Sequence, residues 1–405
     1  MISFSFKFTF LIIVSLFSSV TLAAVWSSEN QWDEKTEMEF SRWINEDLSA
    51  NVFADPTSAY YGIKTDCADA VLVVRAIYSF ENKLPFSFFN IDGVMLSNQT
   101  MKYDHIEQER RVISFLNDLG DQISAESLAL KNTFSIHPKD IRPGDFYIVK
   151  WTNSKGQENR HAYLIKDILP TGNLVLLSST TPKAKRVLAT RQGMPVQLFS
   201  SAPFGFRRFK ERASKVVISE DLIQYTWVKF GENEFYTRVK NLLKTEEDSY
   251  QKNFERRFAN VCIGLDVRRE VVEEAIRLKG ERNGRCFSSA EYDEYSTPSR
   301  DHNLLMELER IKNAWLTITQ KKIPHDLSSE EVQGLDFFIG KDRGPEAKSA
   351  LSKRCVVSFS KSNGDSVNMN LKYFFERLSA GTVSSNPNDA IEARYGLLPS
   401  RNNCH

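Results

Sequence analysis

The sequence predicts an α+β protein in which an apolar helix comes first, a small antiparallel sheet follows, and a helical C-terminal half closes the chain. Three observations predict it. Ala70–Ile77 is an apolar run that directly follows a helix-capping pattern. Residues 146–179 alternate short apolar runs with turn residues. From about Glu220 apolar residues recur at helical spacing. Helices and strands are thus segregated rather than alternating, which separates α+β from α/β.

The N-terminal end reads as a secretory signal peptide over 1–23. Met1–Lys7 holds one positive charge, Phe8–Phe17 is largely apolar, and Thr21, Ala23 and Ala24 supply small residues for cleavage after Ala23 or Ala24. The apolar stretch is short for a bilayer span of about 20 residues and is broken by serines. No other segment could cross, so the expected product is secreted or periplasmic, with no transmembrane segment after cleavage. The remaining chain of about 380 residues exceeds one hydrophobic core. A break near 213–219 divides it into domains at 24–215 and 216–405, the second expected to be all-α. Lys and Arg total 53 against 52 Asp and Glu. That balance favours no polyanionic partner, and no nucleic acid is expected.

Taken in order, residues 29–50 read as a helix with Met38, Phe40, Trp43, Ile44 and Leu48 on one face. Asp55–Ser58 is a turn before Tyr60-Tyr61-Gly62. Asp66 is an N-cap with Asp69 three residues on, so a helix runs from Cys67 to about Phe80. A polar, aromatic loop spans Asn82–Asn98, and a charged helix lies around 105–130. Residues 137–145 carry turn chemistry. Strands then follow at 146–151, 161–165 and 174–179, with turns at 153–156 and 170–173. In the C-terminal half, Val267/Val271/Val272/Ala275/Ile276 and Leu304/Leu305/Leu308/Ile311/Trp315 keep helical spacing, and Ser328-x-x-Glu331 is a capping box. Tyr292–Thr297 is a polar, aromatic connector with Pro298 at the start of the next helix.

Cys67 is the residue that carries chemistry. It occupies the first turn of its helix, where unpaired N–H groups and the positive end of the dipole favour a thiolate and could hold an oxyanion. Asp69 opposes this weakly. The other four cysteines, Cys262, Cys286, Cys355 and Cys404, allow three disulfide connectivities. Proximity in sequence favours Cys262–Cys286 and Cys355–Cys404, leaving Cys67 as the odd thiol. The spacings match no zinc pattern, and no metal or cofactor is implied. Of six histidines, only His161 opens an apolar strand. A lone strand histidine is usually structural, but beside an unpaired cysteine it is the candidate base.

Residues 183–215 hold nine Lys and Arg against Glu211, a net +8, with Phe204, Phe206 and Phe209 interleaved. In an exported protein an anionic envelope polymer or lipid headgroup suits such a patch better than nucleic acid. The simpler reading is a solvated rim whose phenylalanines join the core. Asn98-Gln99-Thr100 fits a short glycosylation pattern.

Tyr61-Gly62, Asp66-Cys67-Ala68, Arg142-Pro143-Gly144-Asp145-Phe146 and His161 together resemble the NlpC-type papain-like cell-wall peptidases, over about 60–180. The resemblance implies a papain-like domain, with the nucleophile's helix packed on a small antiparallel sheet. It implies Cys67 as nucleophile, His161 as general base and acid, Tyr61 near the substrate, and Ala68 and Asp69 beside the nucleophile. It implies cleavage of amide bonds in peptidoglycan stem peptides, with peptidoglycan or another envelope polymer as partner. The sequence departs from the family in three places. Ala68-Asp69 replaces Ser-Gly, 94 positions separate Cys67 from His161, and the orienting position falls among Ser178, Ser179 and Thr180, with Ser179 chosen first. His161-Ala162-Tyr163 is also similar, more weakly, to transglutaminase-like proteins, which would make an amine the acyl acceptor. A catalytically inactive envelope-binding module on the same fold is the remaining alternative.

Overall fold

The computed structural model describes residues 24–152, 158–210, 223–341, 344–401 and Cys404. The expected signal peptide over 1–23, the expected turn at 153–156 and the expected break near 213–219 lie outside the described residues. The N-terminal region contains α1 (Glu34–Glu46), α2 (Cys67–Glu81), a hairpin of β1 (Ser87–Phe89) and β2 (Met95–Ser97), α3 (Gln108–Asp121) and the single turn α4 (Ala125–Ser127). Six strands follow: β3 (Thr133–Ser135), β4 (Phe146–Thr152), β5 (Glu158–Ile168), β6 (Leu174–Ser178), β7 (Ala189–Gln192) and β8 (Gly205–Phe209). They form one antiparallel sheet in the order β3-β8-β4-β5-β6-β7. The expected meander is its β4-β5-β6 centre. The short, polar β7 and the cationic β8 lie in the stretch read as a basic patch.

The C-terminal region is helical: α5 (Ile223–Trp227), α6 (Glu232–Leu243), α7 (Tyr250–Glu281), α8 (Ser289–Tyr295), α9 (Pro298–Lys321), α10 (Ser329–Phe338), α11 (Gly344–Arg354), α12 (Leu371–Ser379) and α13 (Ile391–Arg394). It is not all-α. A hairpin of β9 (Val356–Ser360) and β10 (Ser366–Asn370) buries Val357 and Phe359 on one face. The Asn363-Gly364 turn between alternating residues is a hairpin signal, so this correction was available in the sequence. Two hydrophobic cores result. The first runs from Val25 through the sheet and takes in Tyr225, Trp227, Phe235, Tyr236 and Val239 of α5 and α6. The second is built from α7, α9 and the elements after them.

α2 is the central helix of the first core. Every residue from Ala68 to Ser79 is buried, as expected of a helix apolar on all sides. Asp69 and Arg75 are the ionisable residues in this buried stretch. The Arg75 guanidinium lies 3.3 Å from the centroid of the Trp32 ring and pairs with Glu37 of α1. α1 is shorter than the expected 29–50 because Asp33 caps it. Phe40 and Ile44 are buried, whereas Met38 is exposed.

The Pro143-Gly144-Asp145 turn leads into β4. Gly144 has φ +90°, and a Cβ there would sit 2.7 Å from the Phe40 ring, so only glycine fits. Asp145 accepts from the Arg142 N–H at 2.9 Å and from Arg208 at 2.6 and 2.8 Å, tying the turn to β8. Arg207 is fully buried, donating to Thr133 and Ser135 side chains and the Ala129 carbonyl. Phe204, Phe206 and Phe209 are buried too. Arg207 and these phenylalanines therefore face inward, while Glu211, Arg212 and Lys215 lie outside the described residues. Asn98 is also buried, donating to the Trp26 carbonyl and the Ser28 hydroxyl, so the glycosylation pattern is not presented at the surface.

The disulfides are Cys262–Cys355 and Cys286–Cys404, not the expected pairs. Helix geometry explains the correction. Cys262 lies inside α7, and the 19 residues from there to Glu281 rise about 28 Å, whereas a disulfide needs Cα atoms within about 7 Å. Cys286, beyond the end of that helix, is out of reach. Cys67 stays unpaired, as expected.

Candidate functional site

The capping box forms as the sequence predicts. Asp66 Oδ1 accepts from the N–H groups of Ala68 (3.0 Å) and Asp69 (3.2 Å), and Asp69 Oδ2 accepts from the Asp66 N–H (3.1 Å). The Cys67 N–H lies outside this cap. The chain before Cys67 is held by an antiparallel bridge between Thr65 and Ala184. Ser179 Oγ donates to the Thr65 carbonyl at 2.9 Å.

Sheet geometry brings Cys67 beside His161. Pairing of β6 with β5 stops at Leu177 opposite Leu164, so the edge of β5 beyond Leu164 is uncovered. Cys67 takes that edge, its sulfur accepting the Ala162 N–H. His161 is the preceding residue of β5. It lies opposite Val149 of β4, and its ring meets Tyr163 edge-on at 4.3 Å between centroids. The strand begins at Glu158 rather than at His161. Cys67, His161, Ser178 and Ser179 line a single cavity of about 830 Å³.

The other expected contacts fall outside that cavity. Ala68 and Asp69 are buried beneath the first turn of α2. Asp69 pairs with Lys183 at 3.2 Å, and burial and the Asp66 charge push its carboxyl up to about 7 against the pull of Lys183. Tyr61 is exposed and accepts a hydrogen bond from Lys185 Nζ at 2.6 Å.

Electrostatics set the resting state of the pair. Burial, then the Asp66 charge, pushes the Cys67 thiol up, and the Ala162 and Ala68 N–H groups only partly offset them. The helix N-terminus predicts the opposite direction, and desolvation outweighs it. Burial, with the Arg300 and Arg191 charges, pushes His161 down to about 3. The two groups therefore rest as thiol and neutral imidazole across the neutral range.

The depressed imidazole has a consequence for stability. An unfolded histidine takes a proton below about 6.5, and the folded His161 does not until about 3. Stability is therefore complete above the unfolded value and is lost as pH falls towards the folded one. Near pH 5 the loss is about 2 kcal/mol. His161→Asn removes it, so the fall in unfolding midpoint between pH 8 and pH 5 should be smaller in the variant than in wild type, measured by calorimetry. Equal falls would contradict the assignment.

Much of the cavity wall comes from the C-terminal region, in which the sequence showed no chemical motif. Asn260 of α7 exchanges hydrogen bonds with the Gln192 backbone of β7, at 2.8 and 3.2 Å. Arg191 pairs with Glu307 of α9 at 3.0 Å. Gln197 donates to Asn303 at 2.8 Å. These contacts carry the α8–α9 connector over the cavity, with Pro298 opening α9 as expected and Arg300 on its first turn. A signal for Arg300 was present. A cation on the first turn of a helix opposes the dipole, and such a local violation marks a functional position.

No protein-family model, curated protein or solved structure matches the chain.

Proposed function

We propose that this cavity is the active site of an exported cysteine peptidase or amidase that hydrolyses amide bonds in peptidoglycan stem peptides, on a papain-like arrangement of helix and sheet. The observation that carries the reading is Cys67 at a capped helix start, seated on the β5 backbone one residue from His161, with both side chains on one cavity. Cys67 Sγ attacks the amide carbonyl while His161 takes the thiol proton. Because both groups rest neutral, transfer and attack proceed together. The Cys67 N–H holds the oxyanion. His161 then protonates the leaving amine as the C–N bond breaks, and a thioester remains. Water, deprotonated by His161, releases the acid and restores the thiol. Ser179, expected as the group that orients the imidazole, donates instead to the Thr65 carbonyl and acts as a positioning residue on the backbone that precedes the nucleophile.

Mature protein incubated with purified peptidoglycan should release new free amino groups, and His161→Ala should lower the rate by about 10²-fold or more. Absence of release by folded wild-type protein would instead favour the non-catalytic binding module. The neutral resting pair is the observation that keeps that second reading in play.

A further inference from the structure

We infer that Arg300 and Arg186 form a carboxylate anchor in this cavity, so that the bound molecule presents a free carboxylate beside Cys67. That the anchored molecule is then cleaved rests on the reading above; the anchor itself does not.

Four arginines line the cavity. Two are already matched: Arg160 with Glu126 at 3.1 Å and Glu158 at 3.0 Å, and Arg191 with Glu307 at 3.0 Å. Arg300 differs. Its Nη1 donates to the Ser296 carbonyl at 3.1 Å, and its Nη2 to Thr180 Oγ1 at 2.6 Å and to the Thr181 carbonyl and hydroxyl. All of these acceptors are neutral, and no carboxylate among the described residues forms an ion pair with it. Arg186 is paired more loosely than Arg160 and Arg191, with Glu270 at the edge of ion-pair distance and the Asp66 and Glu274 charges also acting on it. Its Nη2 donates to the Pro182 carbonyl, its side chain is 10% exposed, and its nearest carboxylate, Glu270, is 3.9 Å away. Glu270 is itself half exposed, and burial raises its carboxyl against the pull of Arg186 and Arg269.

Among the cavity's arginines four buried donors have no hydrogen-bond acceptor: Arg300 Nε, Arg186 Nε and Nη1, and the Nε of Arg160, whose Nη2 is paired. The two guanidiniums also repel one another, since the Arg186 charge acts directly on Arg300. Two desolvated cations side by side, with idle N–H groups, are costly unless an anion completes them. Of the acidic groups on the wall, Glu158, Glu307 and Asp266 are paired with Arg160, Arg191 and Arg269, leaving Glu270 and Asp293. Planar forked donors match the two oxygens of a carboxylate. The location ties the anchor to the chemistry, because Arg186 and Arg300 line the same cavity as Cys67 and His161, and the Arg300 charge acts on His161. A carboxylate seated there would also offset the field that depresses His161.

The test uses full-length mature Cys67→Ala protein, so that binding is read without turnover. The probes are acetyl-γ-glutamyl-lysine with a free α-carboxylate, and the same compound with that group as a carboxamide. Calorimetry should show the carboxylate form binding about 10-fold tighter or more. The preference should vanish in Arg300→Gln and shrink in Arg186→Gln. Comparing two probes on one protein needs no further substitution, so a variant that fails to fold leaves the test intact. Equal affinity for the two probes, or no binding of either at millimolar concentration, would overturn the proposal. So would a preference unchanged in both folded variants. Inorganic phosphate that displaces the carboxylate probe with equal affinity would mark a general anion site and likewise overturn it. A carboxylate preference in a protein that hydrolyses nothing would keep the anchor and sink the hydrolase.

Discussion

Cys67→Ala is expected to lower kcat/KM for a stem-peptide amide by about 10⁴-fold or more, while the unfolding midpoint stays close to wild type. The asymmetry follows from what Cys67 contributes. As nucleophile it forms the bond that divides the reaction into two steps, and no neighbouring group substitutes for it. As a structural group it is a half-buried thiol that accepts from the N–H groups of Ala162 and, more weakly, Ala68. Losing that acceptor costs about 1 kcal/mol. The cap on α2 is made by Asp66 and Asp69 and does not involve the thiol. Cys67→Ser should be nearly as inactive, because a depressed imidazole is a poor base for a hydroxyl. Parallel kinetics and calorimetry check both halves, and an Ala variant that retains turnover contradicts the mechanism.

Glu37→Ala is expected to destabilise the protein by about 3–5 kcal/mol, although Glu37 lies away from the cavity. Glu37 and Arg75 are each about 5% exposed. Removing the carboxylate takes away the buried counter-ion of the Arg75 guanidinium, which lies among Trp32, Phe40 and Phe209. Arg142, 3.7 Å from Glu37, adds a second cation to the same spot. Replacing both Glu37 and Arg75 by apolar residues should recover much of the loss, since the pair is costly to break rather than costly to omit. Denaturant unfolding of the single and double variants measures this. Because Arg75 lies on α2, the single variant should also lose activity in proportion to its unfolded fraction.

The parts of this fold that local patterns determine were legible. The Asp66 cap, the buried run of α2, the Pro143-Gly144-Asp145 turn and the three central strands depend on neighbours in sequence. What was missed depends on pairs far apart. β3 and β8 are three and five residues long, and their pairing is set by Arg207 reaching Thr133 and Ser135, 74 and 72 positions away. The disulfides join cysteines distant in sequence, because α7 carries Cys262 far from Cys286. Cys67 and His161 were brought together by the meander in which His161 sits, which the pattern showed. The opposite wall, with Arg300 and Asn303, comes from the C-terminal region through docking on β7, which no local pattern encodes. The expected contacts at Tyr61, Ala68 and Asp69 rested on resemblance, and they lie off the cavity wall.

The most direct measurement is the intact mass of wild-type protein quenched in acid during turnover of a stem peptide. The account predicts a gain equal to the acyl fragment, mapped to the peptide containing Cys67, released by hydroxylamine and absent from Cys67→Ala. Turnover with no adduct under conditions that trap thioesters, or an adduct on any other residue, would contradict it.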